Sequence, residues 1–180
     1  MTEAADRLYE RVLILRSQAR DEAAFEEIVA RYTPRLRYYL RKMLGGGEAT
    51  EDALQEVWLD AFRGITRLAE PGAFPAWIYR LARDRAFRDL RRRRPCLPLE
   101  DFDLVDDGDD VGAFSAEDAE RIHDALDTLI PEHREVLVLR FIEDLSYEEI
   151  AGIVGCRLGT VRSRIHYAKR ALRRAIEGTG

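Results

Sequence analysis

Cysteine is nearly absent from this chain, with only Cys96 and Cys156 in 180 residues and no CxxC spacing. That excludes a disulfide framework and argues against a cysteine-bound zinc site. Histidine is scarce as well. His123, His133 and His166 are scattered, without ligand spacing or a carboxylate cluster beside them, so neither a bound metal nor metal-assisted nuclease chemistry is expected. No apolar run approaches the ~18–20 residues of a membrane span. The N-terminal stretch MTEAADRLYERVLILRSQAR has its short apolar run broken by charge and lacks a small-residue cleavage signal. A reduced cytoplasmic setting, with no membrane attachment, is the expectation. Strand patterns are missing too. VLVL at 136–139 is the one ambiguous run, and the helical phasing of its neighbours assigns it to helix.

What the sequence has in quantity is charge, sorted into blocks. The formal net charge is −5, a sum that conceals the arrangement. Arg80 to Arg94 holds eight arginines against Asp84 and Asp89, and Leu97 to Glu120 holds ten Asp or Glu with no Lys or Arg. Gly155 to Arg174 then carries seven Lys or Arg and no carboxylate. Two basic segments flanking an acidic one say more about partners than the total does.

The periodicity predicts an all-α protein of two small domains. In residues 25–44 apolar side chains recur at Phe25, Ile28, Val29, Tyr32, Leu36, Tyr39, Leu40 and Met43, a period near 3.6. Thr33-Pro34 inside that run suits a cap and a first helical residue, so a kink or restart is expected there. Gly45-Gly46-Gly47 ends the segment. Thr50, with Glu51 and Asp52 behind it, is read as the opening of the next helix. Its inward stripe should be Ala53, Val57 and Ala61 with Leu54, Trp58 and Ile65 alongside. After a Pro71-Gly72 turn, FPAWIYRLARDRAFRDLRRRR (74–94) returns to helix. Residues 96–115 combine Pro, Gly and Asp without periodicity and read as a flexible acidic linker. Ser115 opens a capping-box pattern. Helices are expected to about Leu129, from Pro131 to about Ile142, and twice more after Ser146. The boundaries are thus an N-terminal extension 1–20, amphipathic through Leu8, Val12 and Leu15 and able to pack on the first domain or meet a regulator, then a first domain 21–95, the linker 96–115 and a second domain 116–180.

The second domain holds a helix-turn-helix. Ser146 and Glu149 make a capping box, and Ile150 and Val154 form an apolar stripe. Ala151 is small where two helices cross, and Gly155 falls where the turn needs a left-handed residue. Val161, Ile165, Ala168 and Leu172 continue an apolar face through the second helix. Such a helix places its N-terminal residues at base edges in a major groove. The candidates for DNA contact are Gly159, where backbone approaches phosphate, and Thr160, Arg162, Ser163, Arg164, His166, Tyr167 and Arg170, with Lys169 beside them.

Five segments also carry a resemblance. LIPEHREVLVLRF (129–141), LSYEEIA (145–151) and GTVRSR (159–164) resemble domain 4 of bacterial RNA polymerase sigma factors. EDALQEVWLDAF (51–62) resembles the core-binding segment of sigma domain 2, and residues 74–94 look like its promoter-melting segment. Over residues 21–176 the chain is similar to the two-domain extracytoplasmic-function group. The resemblance implies a −35 element read by the second helix of the helix-turn-helix. It implies contact between Asp52, Gln55 and Glu56 and a coiled coil of the β′ subunit in core polymerase. It also implies a −10 element met by Phe74, Trp77, Arg80, Arg83 and Asp84, although Phe74 and Trp77 read more readily as core. Where the family often has Asn and then Asp four residues on, this chain has Asp84 and Arg88, which bears on −10 preference. An acidic linker of this family threads polymerase channels later filled by RNA, and a plain tether would have the same composition. Many members are held by an anti-sigma factor. No catalytic constellation and no cofactor are expected; polymerase would supply the chemistry. The alternative reading is a stand-alone helix-turn-helix regulator, which leaves EDALQEVWL unexplained.

Overall fold

In the computed structural model, described for residues 3–93 and 119–178, every regular element is a helix. The chain divides into two compact units, the first ending at Leu90 and the second beginning at Arg91. The acidic linker and the capping-box pattern at Ser115 lie outside the described residues.

The first unit comprises α1 (Glu3–Gln18), α2 (Glu22–Leu44), α3 (Glu48–Gly64) and all but the last three residues of α4 (Phe74–Arg93), with single 3-10 turns at Ile65–Arg67 and Pro71–Ala73. Asp21 caps α2 by accepting from the Ala24 N–H at 3.1 Å and from Arg16 Nε at 2.9 Å, and these bonds hold its carboxyl below the usual range. Gly45 ends α2 in the left-handed region at φ 85°, its N–H bonded to the Arg41 carbonyl, a conformation that an L side chain resists.

The restart expected at Thr33-Pro34 does not occur. Helix α2 runs through Pro34 without interruption, and the Thr33 hydroxyl accepts from Trp58 Nε1 at 3.1 Å instead of capping anything. Thr50 is likewise not a cap. Gly47, at φ 72°, precedes the first residue of α3, and Thr50 is buried one turn inside, its Oγ1 without a hydrogen-bond partner.

Leu36, Tyr39 and Leu40 of α2, Val57 and Ala61 of α3, and Phe74, Ile78 and Ala82 of α4 form the core. Edge-to-face ring pairs Tyr32–Phe74 (5.2 Å) and Tyr39–Tyr79 (5.6 Å) fasten α4 to α2, a geometry that aromatic quadrupoles favour.

Within the stretch expected as an extension, Glu3–Gln18 form α1, which packs on α2. Its buried side is Leu13, Ile14 and Ser17, whereas Leu8, Val12 and Leu15 are 64%, 43% and 54% exposed. Polar pairing orients the helix. Glu10 accepts from the Tyr32 hydroxyl at 2.9 Å and Asp6 meets Arg31 at 3.2 Å, so the acidic side of α1 turns toward α2 and the predicted stripe turns out. Burial and Glu10 together raise the Tyr32 hydroxyl pKa far above its ordinary value.

The second unit comprises α5 (Ala119–Thr128), α6 (Pro131–Leu137), α7 (Tyr147–Val154) and α8 (Leu158–Glu177). Helix α6 runs on into a wider π turn over Val138–Ile142, closed by the Glu143 N–H on the Val138 carbonyl at 3.1 Å. Helices α5, α6 and α7 each pack on α8, burying Val161, Ile165, Ala168 and Leu172 against Val136, Leu139, Ile150 and Ile153.

Candidate nucleic-acid and partner interfaces

The turn between α7 and α8 is built as its residues require. Ser146 and Glu149 form a reciprocal capping box, with the Glu149 N–H on Ser146 Oγ at 3.2 Å and the Ser146 N–H on Glu149 Oε2 at 2.8 Å. Gly155 takes φ 73° and donates to the Ala151 carbonyl at 2.9 Å. The chain then re-enters helix at Leu158 behind Arg157, which makes no side-chain cap. With no carboxylate in the first turn of α8, its initial N–H groups and dipole present a positive end.

Phase sorts the side chains of α8. Arg162 and Arg170 are exposed, and Gly159, Thr160, His166, Tyr167 and Lys169 are half-buried. Arg162, His166 and Arg170, spaced four apart, form one outward row. His166 and Tyr167 stack edge to face at 5.4 Å. Two candidates are corrected. Ser163 and Arg164 are 5% and 4% exposed, so neither belongs to the outer surface. Arg164 stands three residues after buried Val161 and next to Ile165, on the inward face, while Ser163 Oγ donates to the Thr160 carbonyl at 3.0 Å. From within, Arg164 adds to the burial that lowers the His133 pKa, and Glu132 opposes it.

On α4, Arg80, Asp84, Arg88 and Arg91 are exposed and recur on one face. Asp84 makes no ion pair with Arg80 or Arg88, contrary to the pairing its position invites. Phe74 is another correction. It is fully buried against Tyr32 and Trp77, because the first turn of α4 is driven into the core. Arg83 is half-buried, its guanidinium 4.4 Å above the Phe87 ring. Trp77 is half-buried, and its ring lies so close to Gly64 that a Cβ there would stand 3.0 Å from Cζ2.

On α3, Asp52, Gln55 and Glu56 are exposed together, and Leu59 and Phe62 (47% and 43% exposed) extend the row. These two were missed by the sequence reading. Their signal was present, since both are large apolar residues left over once the inward stripe is assigned. Arg85 was missed as well. It reaches from α4 to Glu56, and its Nη2 lies 3.5 Å from Asp60 Oδ2. In the second unit Phe141 is 51% exposed with Lys169 Nζ 5.0 Å from its ring centre.

Arg134 has a role that its place in LIPEHREVLVLRF does not reveal. Its Nε donates to the Leu126 carbonyl at 2.8 Å, and Nη2 donates to the Asp127 and Leu129 carbonyls at 2.9 and 2.7 Å. It therefore closes the C-terminal end of α5, where carbonyls lack helical partners. Burial outweighs the nearby Asp127 and lowers its pKa.

Among the described residues no helix is long and apolar enough to cross a membrane, and no group of three His, Cys, Asp or Glu converges to hold a metal ion. Two helical units, the second presenting a helix-turn-helix with a basic outer row, define a DNA-binding protein of the transcription apparatus. The family models for sigma-70 region 2 and sigma-70 region 4 match residues 28–95 and 119–172. The chain is 30% identical to the ECF RNA polymerase sigma-E factor of Escherichia coli, over 96% of this chain and 97% of that one. It is 32% identical to the namesake of Haemophilus influenzae, over 96% and 98%. Against the ECF RNA polymerase sigma factor SigE of Mycolicibacterium smegmatis the identity is 36%, over 85% of this chain and 63% of that longer protein. In fold it is similar to CnrH, solved with the cytosolic domain of CnrY, at TM-score 0.71 and 24% identity over 95% and 99% of the two chains. The sigma factor RpoE of Bartonella quintana, solved with the anti-sigma factor NepR, gives 0.65 and 22% over 85% and 96%. The chain belongs to the ECF sigma factors of RNA polymerase.

Proposed function

We propose that the chain docks on core RNA polymerase through the outer row of α3, reads a −35 element with α8, and engages the −10 element with α4. The observation that carries this reading is the pairing of two unlike faces. An acidic row (Asp52, Gln55, Glu56) ending in exposed Leu59 and Phe62 suits a cationic amphipathic partner helix. A carboxylate-free basic row (Arg162, His166, Arg170) behind an open helix N-terminus suits a major groove. In the −10 region Arg80, Arg88, Arg91 and Arg92 are exposed cations, and Trp77 is a half-buried aromatic. Phe74 and Arg83 act there by shaping the first unit. Recognition belongs to this chain and the phosphoryl-transfer chemistry to polymerase, in the cytoplasm where promoter DNA is.

The same faces fit an anti-sigma factor. CnrH and the Bartonella protein were each solved in complex with a second protein, named as an anti-sigma factor in the second case. A partner of this kind would cover α3 or α8 here.

Binding to core polymerase tests the reading, with the native chain beside a Gln55→Ala, Glu56→Arg double variant. A stable complex with the native chain, weakened at least tenfold in the variant, is the expected result. Duplex binding by the unaided chain together with no polymerase complex would favour the stand-alone regulator.

A further inference from the structure

Arg85 stands between the two working faces of the first unit. Its guanidinium meets Glu56 and lies 3.5 Å from Asp60, two carboxylates one turn apart on the outer row of α3. Its side chain is 19% exposed and each carboxylate 48%. Along α4 it precedes exposed Arg88 by three residues, at the edge of the row Arg80, Arg88, Arg91.

We infer that Arg85 is a further DNA-contacting residue, masked in the free chain by Glu56 and Asp60 and released when those carboxylates turn to cationic groups of the polymerase. This rests on the α3 face being the polymerase contact. The chemistry of the exchange is simple. The pair is half-exposed on its carboxylate side, where water already competes for Glu56 and Asp60. A guanidinium or ammonium on a docked helix offers Glu56 and Asp60 an equivalent charge in a drier place, where it counts for more. The freed Arg85 is long enough to swing from the α3 side of α4 to its outer row, and a phosphate there is the ligand its planar fork matches. Docking on polymerase thereby adds a cation to the promoter face. Asp60 also has Arg63 at 3.9 Å, so that carboxylate keeps a partner when Arg85 leaves.

The test is a double-variant cycle on the full chain, read as binding to a fluorescein-labelled single-stranded DNA of mixed sequence across a salt series. The four proteins are native, Glu56→Gln/Asp60→Asn, Arg85→Gln, and all three substitutions together. Unmasking predicts that Glu56→Gln/Asp60→Asn tightens DNA binding about 3- to 10-fold at about 50 mM salt. It also predicts a log–log salt slope steeper by about 0.7, the value of one added phosphate contact on a single strand. In the Arg85→Gln background that gain should shrink at least about threefold and the slope change should vanish. An equal gain in both backgrounds would mean that only bulk negative charge had been removed, and would overturn the inference, as would no gain at all. Arg85→Lys keeps the charge and should keep the unmasking, which guards against a folding defect in Arg85→Gln. Polymerase binding of the native chain is measured alongside. Its absence refutes the α3 face as a polymerase contact, whereas a flat cycle with polymerase binding intact refutes only the role given to Arg85.

Discussion

Replacing Arg134 by alanine is expected to destabilise the second unit strongly while leaving the first intact. Three N–H donations end at once, to the carbonyls of Leu126, Asp127 and Leu129. A hydrogen bond from a charged donor contributes about 1.5–3 kcal/mol on its own, and a buried carbonyl left unpaired costs about 1–3 kcal/mol. Arg134 is only half-buried, and water reaches some of the released carbonyls. Leu126 retains the Leu129 N–H as a partner. The discounted total is about 2–3 kcal/mol. A unit of about 60 residues at about 0.05–0.15 kcal/mol per residue has about 3–9 kcal/mol to lose, so the substitution takes a large share. Both tryptophans, Trp58 and Trp77, are in the first unit, so indole fluorescence is blind to the change. Hydrogen exchange by mass spectrometry on the full chain resolves it by segment. Protection in α6 and α8 should fall about 30- to 150-fold, the equivalent of 2–3 kcal/mol at 1.4 kcal/mol per tenfold, with α2 and α3 unaffected. Arg134→Lys should recover little, since an ammonium lacks the planar fork. A fall below about fivefold for Arg134→Ala would refute the capping account.

The buried groups and the outer rows make further predictions. His133 has a lowered pKa in the folded chain, burial being the main cause. Its neutral form is thus the one that folding favours. Its contribution to stability is complete above the ordinary value of 6.5 and is lost as pH falls below it, levelling off under the folded pKa. Urea midpoints followed by circular dichroism should drop from pH 7 to 5, and His133→Gln should flatten that drop. Asp84→Asn removes an exposed, unpaired carboxylate from the α4 row and should tighten single-stranded DNA binding about two- to fivefold with a change in sequence preference; an unchanged affinity would remove Asp84 from the DNA face. Arg162→Ala should weaken −35 duplex binding by about 1–3 kcal/mol with no loss of stability, and Arg164→Ala should do the reverse, as thermal melting beside DNA titration will show. Phe74→Ala should cost the first unit about 3–5 kcal/mol by leaving a cavity beneath Tyr32 and Trp77, read by tryptophan fluorescence in urea.

The helix-turn-helix was legible because each of its devices is local. A capping box spans four residues, a left-handed turn needs one glycine, and an apolar row of period 3.6 runs through α7 and α8. What was not legible depended on tertiary choice. Helix α1 has two candidate apolar faces, Leu8–Val12–Leu15 and Leu13–Ile14, and periodicity does not say which one meets α2. That choice falls to Glu10 with Tyr32 and Asp6 with Arg31, partners 22 and 25 residues away. Thr33-Pro34 looks like a helix start, yet α2 continues because packing on both sides of Pro34 outweighs one missing donor. Arg134 and Arg85 act through contacts that no short motif records.

Residue type misled at Ser163 and Arg164, where polarity suggests the surface and helical phase says otherwise. The same sorting applies to the basic block of α4. Arg80, Arg88 and Arg91 point outward, Arg83 lies over Phe87, and Arg85 is held by Glu56 and Asp60. Counting arginines therefore overstates the cations this helix has open to phosphate in the free chain. Counterion release follows the contacts made and not the charges present. The salt slope of the isolated chain should then fall short of its basic composition, and on the proposed α3 contact it should rise when polymerase is bound. On the proposed reading, a chain whose DNA affinity is needed only inside the holoenzyme gains from this arrangement, since unmasked charge on α4 would bind DNA everywhere.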